Sequence, residues 1–191
     1  QIMNNILFLG YRKNKTKIIN FLRKKKFNVV ELGNKQISKS DLKKNFALII
    51  SFGYKKIIKE SIIKKLNRPI INLHMSFLPF NKGAHPNFWS FVKNTPKGVT
   101  IHEISKNIDS GPTIIRKKII FKNLKKQTLE STYKILFQEL ENLFIKNFSI
   151  ILKRKYKKKH FKSKGTIYFK KDFFKKINSW KIKVNDLKQI L

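Results

Sequence analysis

The sequence has no cysteine, few acidic residues and no long apolar run. Without cysteine the chain can form neither a disulfide nor a thiolate metal site, and it has no cysteine nucleophile. No segment approaches the roughly 18 consecutive apolar residues of a membrane-spanning helix, and the lysine-rich N-terminal third lacks the apolar core of a signal peptide. The 10 acidic residues are scattered along the chain. We therefore expect a soluble, cytoplasmic protein without membrane association and without a bound metal.

Positive charge dominates the composition. Lysine and arginine number 45, which gives a formal net charge of +35 at pH 7. Such a charge attracts polyanions, either nucleic acid or small phosphorylated substrates. The lysines are spread along the whole chain, however, and Lys, Ile, Asn and Phe all have A/T-rich codons, which favours a compositional origin. Charge alone thus does not identify a nucleic-acid-binding protein, and that class remains an alternative.

Short apolar runs alternate with amphipathic segments in the first two thirds of the chain. The pattern predicts strands over 5–10, 27–32, 46–53, 69–74, 99–104 and 113–119, and helices over 17–22, 57–66, 86–94 and 129–151. Repeated strand and helix units predict an α/β fold, in which helices cover both faces of a mostly parallel central sheet. We place one main domain at residues 4–152, followed by a basic linker and a short C-terminal extension at 153–191.

Two polar side chains end the apolar strand predicted over 69–74. Asn72 and His74 share one strand face, because strand side chains repeat every second residue. They lie at the carboxyl end of the strand, where open α/β sheets bind their ligands. Asp109, in a tight turn further along, could reach the same point. Together the three offer an amide donor, a proton-transfer group and an orienting carboxylate, the groups that attack of an amine on a carbonyl requires; ordinary hydrogen bonding is the alternative.

Three ordered motifs surround these residues. They are NLHMSFLP at 72–79 with GAHP at 83–86, then GVTIH at 98–102, and DSGPTI at 109–114. Together they resemble the formyltransferase family that uses 10-formyltetrahydrofolate, which includes sugar N-formyltransferases, methionyl-tRNA formyltransferase and glycinamide ribonucleotide transformylase. The resemblance covers roughly residues 4 to 150. It implies a Rossmann-like formyltransferase fold.

The resemblance also implies catalytic roles for Asn72, His74 and Asp109, which we call the polar trio. An acceptor amine would attack the formyl carbon while Asn72 and protonated His74 hold the oxyanion. Asp109 would orient the imidazole and assist proton removal from the amine. Collapse of the intermediate would then release tetrahydrofolate, and no metal would take part.

The donor pocket follows from the same resemblance. Residues 51–58 are similar to the family's pterin-binding loop, and the stretch before Asp109 would complete that pocket. We expect these residues to bind 10-formyltetrahydrofolate: Tyr54, Lys56, Ile57, Ile58, Ile104 and Asn107.

Other residues near the motifs have two interpretations each. His102 lies within an apolar strand, so a structural role beside the Asp109 turn is favoured over a catalytic one. His85 and Trp89 would line an acceptor pocket, or Trp89 would pack with Phe88 on the sheet, and the sequence leaves this open.

The acceptor amine is predicted from the features in which this sequence differs from particular members of the family that it resembles. Only about forty residues follow Ile151, which is short for the C-terminal domain of a methionyl-tRNA formyltransferase, and Gly10 is not followed by the Gly-Ser-Gly loop of the purine enzyme. Residues 165–173 are similar to a segment of sugar N-formyltransferases. We therefore expect a nucleotide-linked amino deoxysugar as substrate, with methionyl-tRNA or a non-catalytic, nucleic-acid-binding function as alternatives.

The sequence does not fix the oligomeric state. The apolar tail contains Phe173, Phe174 and Trp180. These side chains could close a homodimer or cover the core of a single chain.

Overall fold

The fold is described from a computed structural model, which covers residues 4–163, 165–174, 177 and 179–189. The strands are β1 (Asn5–Gly10), β2 (Asn28–Gly33), β3 (Leu48–Phe52), β4 (Ile70–His74), β5 (Lys82–Gly83), β6 (Gly98–Glu103), β7 (Thr113–Lys118) and β8 (Ile167–Tyr168). The α-helices are α1 (Lys17–Lys24), α2 (Lys39–Leu42), α3 (Glu60–Ile63), α4 (Pro86–Val92), α5 (Leu129–Leu152) and α6 (Lys170–Phe174). Short 3₁₀-helices span Leu124–Lys126 and Asp186–Gln189.

Six strands form the central sheet in the order β2-β1-β3-β4-β6-β7. The first four run parallel, whereas β6 is antiparallel to β4 and β7 is antiparallel to β6. β5 and β8 form a separate parallel pair. The α/β architecture with a mostly parallel sheet is confirmed. The central strands β1 and β3 are buried almost throughout, and their apolar side chains divide between two core clusters.

The core lies on both faces of the sheet. On one face α1, α4 and α5 bury a large cluster that includes Leu22, Phe88 and Phe144. On the other face a smaller cluster around Phe46 receives partly buried side chains of α2 and α3. Each layer removes apolar surface from water, which stabilises the fold by roughly 25 cal/mol per Å².

Side-chain caps fix where the two main helices begin. The Thr16 hydroxyl accepts from the Ile18 amide at the start of α1. Thr128 and Ser131 form a reciprocal capping box at the start of α5. These caps satisfy amides that have no partner within the helix.

The helix predicted over 57–66 is much shorter in the structure. α3 contains only Glu60–Ile63, and Ile57 lies in the preceding loop. Pro69 disfavours a helical conformation at Arg68. The side chain of Asn67 bonds the backbone of Phe46 instead of extending the helix. The prediction was wrong because it read apolar residues of the loop as a helical face.

The C-terminal tail packs on the main core. Phe173, Val184 and Leu187 belong to the same buried cluster as α4 and α5. The carbonyls of Trp180 and Ile182 accept from the first amides of α5. Phe173 therefore covers the core, while the side chain of Phe174 lies outside the described residues. The division into 4–152 and 153–191 stays a prediction.

Membrane crossing finds no support in the helices. Within the residues that the structure describes, none of them combines the length and the apolar character needed to span a bilayer.

Candidate active site

The structure brings the polar trio together at the carboxyl end of β4. Asn72 Nδ2 donates to Asp109 Oδ1 over 3.4 Å. His74 Nε2 lies 3.5 Å from Asp109 Oδ2. Asn72 and His74 alternate with buried Leu73, so the predicted shared strand face is present. Asp109 reaches them from the loop between β6 and β7.

His102 supports this arrangement from the neighbouring strand. It pairs with Asn72 in the β4–β6 register and is 1% exposed. Its Nδ1 donates to the Glu103 carbonyl over 2.8 Å, which leaves Nε2 facing Asn72 Nδ2 at 3.0 Å and Asp109 Oδ1 at 3.5 Å. The position is that of a residue that holds the trio in place.

The turn that carries Asp109 has a special backbone. Asp109 adopts a left-handed conformation with φ 44°, which asparagine and aspartate tolerate better than most residues. A Cβ at Gly111 would collide with the Glu103 carbonyl, so the turn can approach β6 only with glycine there. The Gly83 amide donates to Asp109 Oδ2 over 2.8 Å and fixes the carboxylate from the other side.

Electrostatics set the charge states of the site. Burial raises the pKa of the Asp109 carboxyl, but the imidazoles of His74 and His102 and the Gly83 amide outweigh it and hold that pKa well below its usual range. Burial lowers the pKa of His74, although Asp109 opposes this shift. At neutral pH the site thus contains an ionised carboxylate and a neutral His74 imidazole.

One ring nitrogen of His74 has no hydrogen-bond partner among the described residues. Its imidazole bonds the backbone of Asn81. Among the described residues none makes a hydrogen bond with buried Nε2, which lies 3.5 Å from Asp109 Oδ2. A buried polar atom without a partner is costly unless a substrate supplies one. Nε2 is therefore the ring nitrogen that is left to accept a proton.

A cleft of about 1070 Å³ opens in front of the trio. It is lined by every residue that the sequence predicted to act at the site: Tyr54, Lys56, Ile57, Ile58, Asn72, His74, Ile104, Asn107 and Asp109. Tyr54 anchors the loop after β3 by donating from its hydroxyl to the Lys35 carbonyl over 2.8 Å. Ile57 is 77% exposed at the rim of this loop.

Part of the cleft lining was missed by sequence reasoning. The hydroxyls of Tyr11 and Tyr133 lie 2.9 Å apart, and Lys134, Lys170 and Trp180 also line the cleft. Burial and the Tyr11 contact raise the pKa of Tyr133. Tyr11 follows β1 and Tyr133 lies on α5, so no local pattern joins them.

The structure separates the two residues whose roles were left open. His85 lines the cleft and stacks on Phe173 with ring centroids 3.7 Å apart. Trp89 is only 3% exposed and packs against Phe88 and Tyr168. Trp89 therefore belongs to the core, and His85 to the cleft.

Lys82 is a further residue that the sequence did not single out. It is 6% exposed, and its Nζ donates to Ser110 Oγ over 2.8 Å beside Asp109. Burial lowers the pKa of Lys82, and Asp109 opposes that shift. A small cavity of about 30 Å³ is lined by both Lys82 and Asp109.

Metal binding has no support at this site. Within the described residues, the histidines and carboxylates form no group of three or more that could hold an ion.

Comparison with known proteins gives consistent relatives. The family model described as "Formyl transferase" matches residues 6–146. A dTDP-4-amino-4,6-dideoxyglucose formyltransferase of Mycobacterium bovis is 28% identical over 134 residues, which are 70% of this chain and 56% of that protein. The chain thus spans about half the length of this curated relative.

A solved structure matches almost the whole chain. It is the formyltransferase PseJ of Anoxybacillus kamchatkensis, in complex with UDP-4,6-dideoxy-4-formamido-L-AltNAc and tetrahydrofolate. That protein is 34% identical to this chain, with a TM-score of 0.87 and coverage of 98% of this chain and 100% of the other.

Proposed function

The chain belongs to the formyl transferase family, and we propose that it transfers a formyl group from 10-formyltetrahydrofolate to the amine of a nucleotide-linked deoxysugar. One observation carries this choice of acceptor. The likeness to a formyltransferase that holds a nucleotide-linked formamido sugar and tetrahydrofolate extends over 98% of this chain. The curated relative described above is also named for a nucleotide-linked 4-amino sugar.

The cleft fits two ligands that meet at the polar trio. Ile57, Ile58 and Ile104 give one wall an apolar surface suited to a pterin ring, and this wall would bind the donor. Elsewhere the lining offers Trp180 for stacking and Lys134 and Lys170 as point charges for a diphosphate, although Lys134 also pairs with Glu130 over 2.7 Å. The trio belongs to the same lining, so a formyl carbon and an amine would come into contact there.

The trio would act in the following sequence. As the amine nitrogen attacks the formyl carbon, a C–N bond forms and the carbonyl electron pair moves to oxygen. Asn72 Nδ2 gives up its long contact of 3.4 Å with Asp109 Oδ1 and donates to this developing oxyanion instead. Neutral His74 takes the proton that the amine loses, and the resulting imidazolium is stabilised by Asp109. Re-formation of the carbonyl breaks the bond to the folate nitrogen, which receives the proton.

This sequence refines the role that the family resemblance implied for His74. The resemblance implied an imidazole that is already protonated when it holds the oxyanion. Burial lowers the pKa of His74, so the neutral ring is the resting form. Protonation then accompanies the attack and adds positive charge where the oxyanion develops.

The cytoplasm is the proposed location, and a homodimer remains a prediction about assembly. Transfer to methionyl-tRNA is the alternative acceptor reaction, and the net charge of +35 is the property that favours it. A purely nucleic-acid-binding function would not require the trio, so we regard it as the weakest proposal.

Turnover with a panel of acceptors tests the proposal. Purified protein is supplied with 10-formyltetrahydrofolate and, in parallel, with UDP- and dTDP-linked 4-amino-4,6-dideoxy sugars and charged initiator methionyl-tRNA. Release of tetrahydrofolate that depends on a sugar nucleotide is the expected result. Formylation of the tRNA alone would overturn the proposed sugar acceptor in favour of methionyl-tRNA. Nucleic-acid binding without any formyl transfer would overturn the enzymatic proposal.

A further inference from the structure

The two-residue strand β5 links the C-terminal tail to Asp109. On one side, the amides of Lys82 and Ala84 donate to the carbonyls of Thr166 and Tyr168 over 2.9 Å and 2.8 Å. On the other side, the Gly83 amide donates to Asp109 Oδ2 over 2.8 Å. Successive amides of a strand point in opposite directions. The tail segment that pairs with β5 therefore fixes the direction in which the Gly83 amide points.

Gly83 has no room for a side chain because the tail passes so close. Its φ is +84°, and a Cβ built there would collide with the Tyr168 carbonyl. Only glycine combines this conformation with this approach at low cost. The close contact between β8 and β5, whose Gly83 amide binds Asp109, therefore depends on glycine at position 83.

The tail segment is itself anchored by one aromatic side chain. The ring of Tyr168 stacks on Trp89 with centroids 4.1 Å apart and an interplanar angle of 7°. Trp89 is buried in α4. The neighbouring Ile167 is 40% exposed. Tyr168 therefore holds β8 on the core, and Ile167 offers a matched control in the same strand.

We propose that β8 is a positioning element for Asp109, and that Tyr168 is its positioning residue. The inference rests on the proposed function, in which Asp109 stabilises the His74 imidazolium. Asp109 Oδ2 accepts a hydrogen bond from the Gly83 amide, and the same oxygen lies 3.5 Å from His74 Nε2. A shift of β5 would move this oxygen relative to the imidazole, although neither Tyr168 nor Ile167 lines the cleft.

Steady-state kinetics of three variants test the inference. Loss of the stack in Tyr168→Ala should lower kcat by about tenfold to a hundredfold, because misplacement of a reacting group by about 1 Å has effects of this size. The KM values for donor and acceptor should stay within about twofold of wild type. Tyr168→Phe keeps the stacking ring and should restore kcat, and Ile167→Ala should behave as wild type.

Each outcome has a defined meaning. Wild-type protein that transfers no formyl group would refute the proposed function. If wild type is active, an equal kcat in Tyr168→Ala and Ile167→Ala would overturn the positioning role of β8, as would a loss confined to KM. Thermal unfolding is measured for every variant, and if Tyr168→Ala does not fold, Tyr168→Leu is compared with Tyr168→Phe by the same criteria.

Discussion

The two ends of the cleft, the polar trio and the wall around Ile57, differ in side-chain burial and in hydrogen bonding. At the trio, His74 is 8% exposed, and the Asp109 carboxylate is held by the Gly83 amide and by Asn72. At the wall proposed to bind the donor, Ile57 is 77% exposed. The first end consists of a strand terminus and a turn whose side chains have fixed partners, and the second includes a loop side chain that faces solvent.

This difference separates chemistry from binding. Groups that stabilise charge in a transition state act best when they are fixed beforehand, because they need not reorganise during the reaction. Exposed isoleucines instead gain their contacts when a ligand covers them. We therefore expect substitutions at the buried end to change kcat and substitutions at the exposed wall to change KM.

Asp109→Asn is the substitution with the largest expected effect. It preserves the size of the side chain but removes the negative charge beside His74, so kcat should fall by roughly a thousandfold, within the range of a lost proton-transfer group. The measurement is kcat at saturating donor and acceptor. Asp41→Asn is the control, since Asp41 is a buried carboxylate that caps α2. A kcat for Asp109→Asn near that of the control would contradict the assigned role.

Asn72→Ala should have the next largest effect. It removes the amide donor proposed for the oxyanion, and loss of one such donor typically lowers kcat by about 100-fold to 1,000-fold. The KM for the donor should change little, because the amide acts on charge that develops in the transition state. An increase in KM at unchanged kcat would contradict this role and show that Asn72 contributes to substrate binding instead.

Ile57→Ala tests the exposed wall. Burial of an isoleucine under a ligand contributes about 1.5–3 kcal/mol, so removal of most of this side chain should raise the KM for 10-formyltetrahydrofolate about tenfold and leave kcat unchanged. Ile120→Ala is the control, because Ile120 is 84% exposed and is absent from the cleft lining. Equal KM values for the two variants would remove Ile57 from the donor pocket.

Stability against pH gives the smallest expected effect. Burial holds the folded-state pKa of His74 below 6.5, so the unfolded chain takes up a proton below pH 6.5 that the folded chain does not. Stability contributed by neutral His74 is therefore present above pH 6.5 and is lost as pH falls towards the folded pKa, by at most about 1.36 kcal/mol per pH unit.

The measurement is urea unfolding of wild type and His74→Gln at pH 7 and pH 5.5. Wild type should lose more stability than His74→Gln between the two values. The difference between the variants isolates His74, since His85, whose pKa is also lowered by burial, is present in both. Parallel losses would mean that folding does not lower the pKa of His74.

The parts of the molecule that repeat a local pattern were predictable. The apolar run that ends at His74 predicted both β4 and the shared face of Asn72 and His74, and the structure contains them. The family resemblance is confirmed. The fold was also predicted well, since alternating strands and helices reflect burial in a layered α/β core.

The rest depends on contacts between distant residues. β5 and β8 have two residues each, and each forms only because the other is present. The Tyr11 and Tyr133 hydroxyl pair joins residues 122 positions apart. Apolar residues before α3 face the cleft rather than a helix partner, which no periodicity in the sequence reveals.

Direct binding of tetrahydrofolate tests the division between the two ends. Calorimetric titration compares wild type, Asp109→Asn and Ile57→Ala. We predict that Asp109→Asn keeps a Kd within about twofold of wild type while Ile57→Ala binds about tenfold more weakly. A weaker Kd in Asp109→Asn together with an unchanged Kd in Ile57→Ala would contradict the account, because binding would then depend on the buried end and not on the exposed wall.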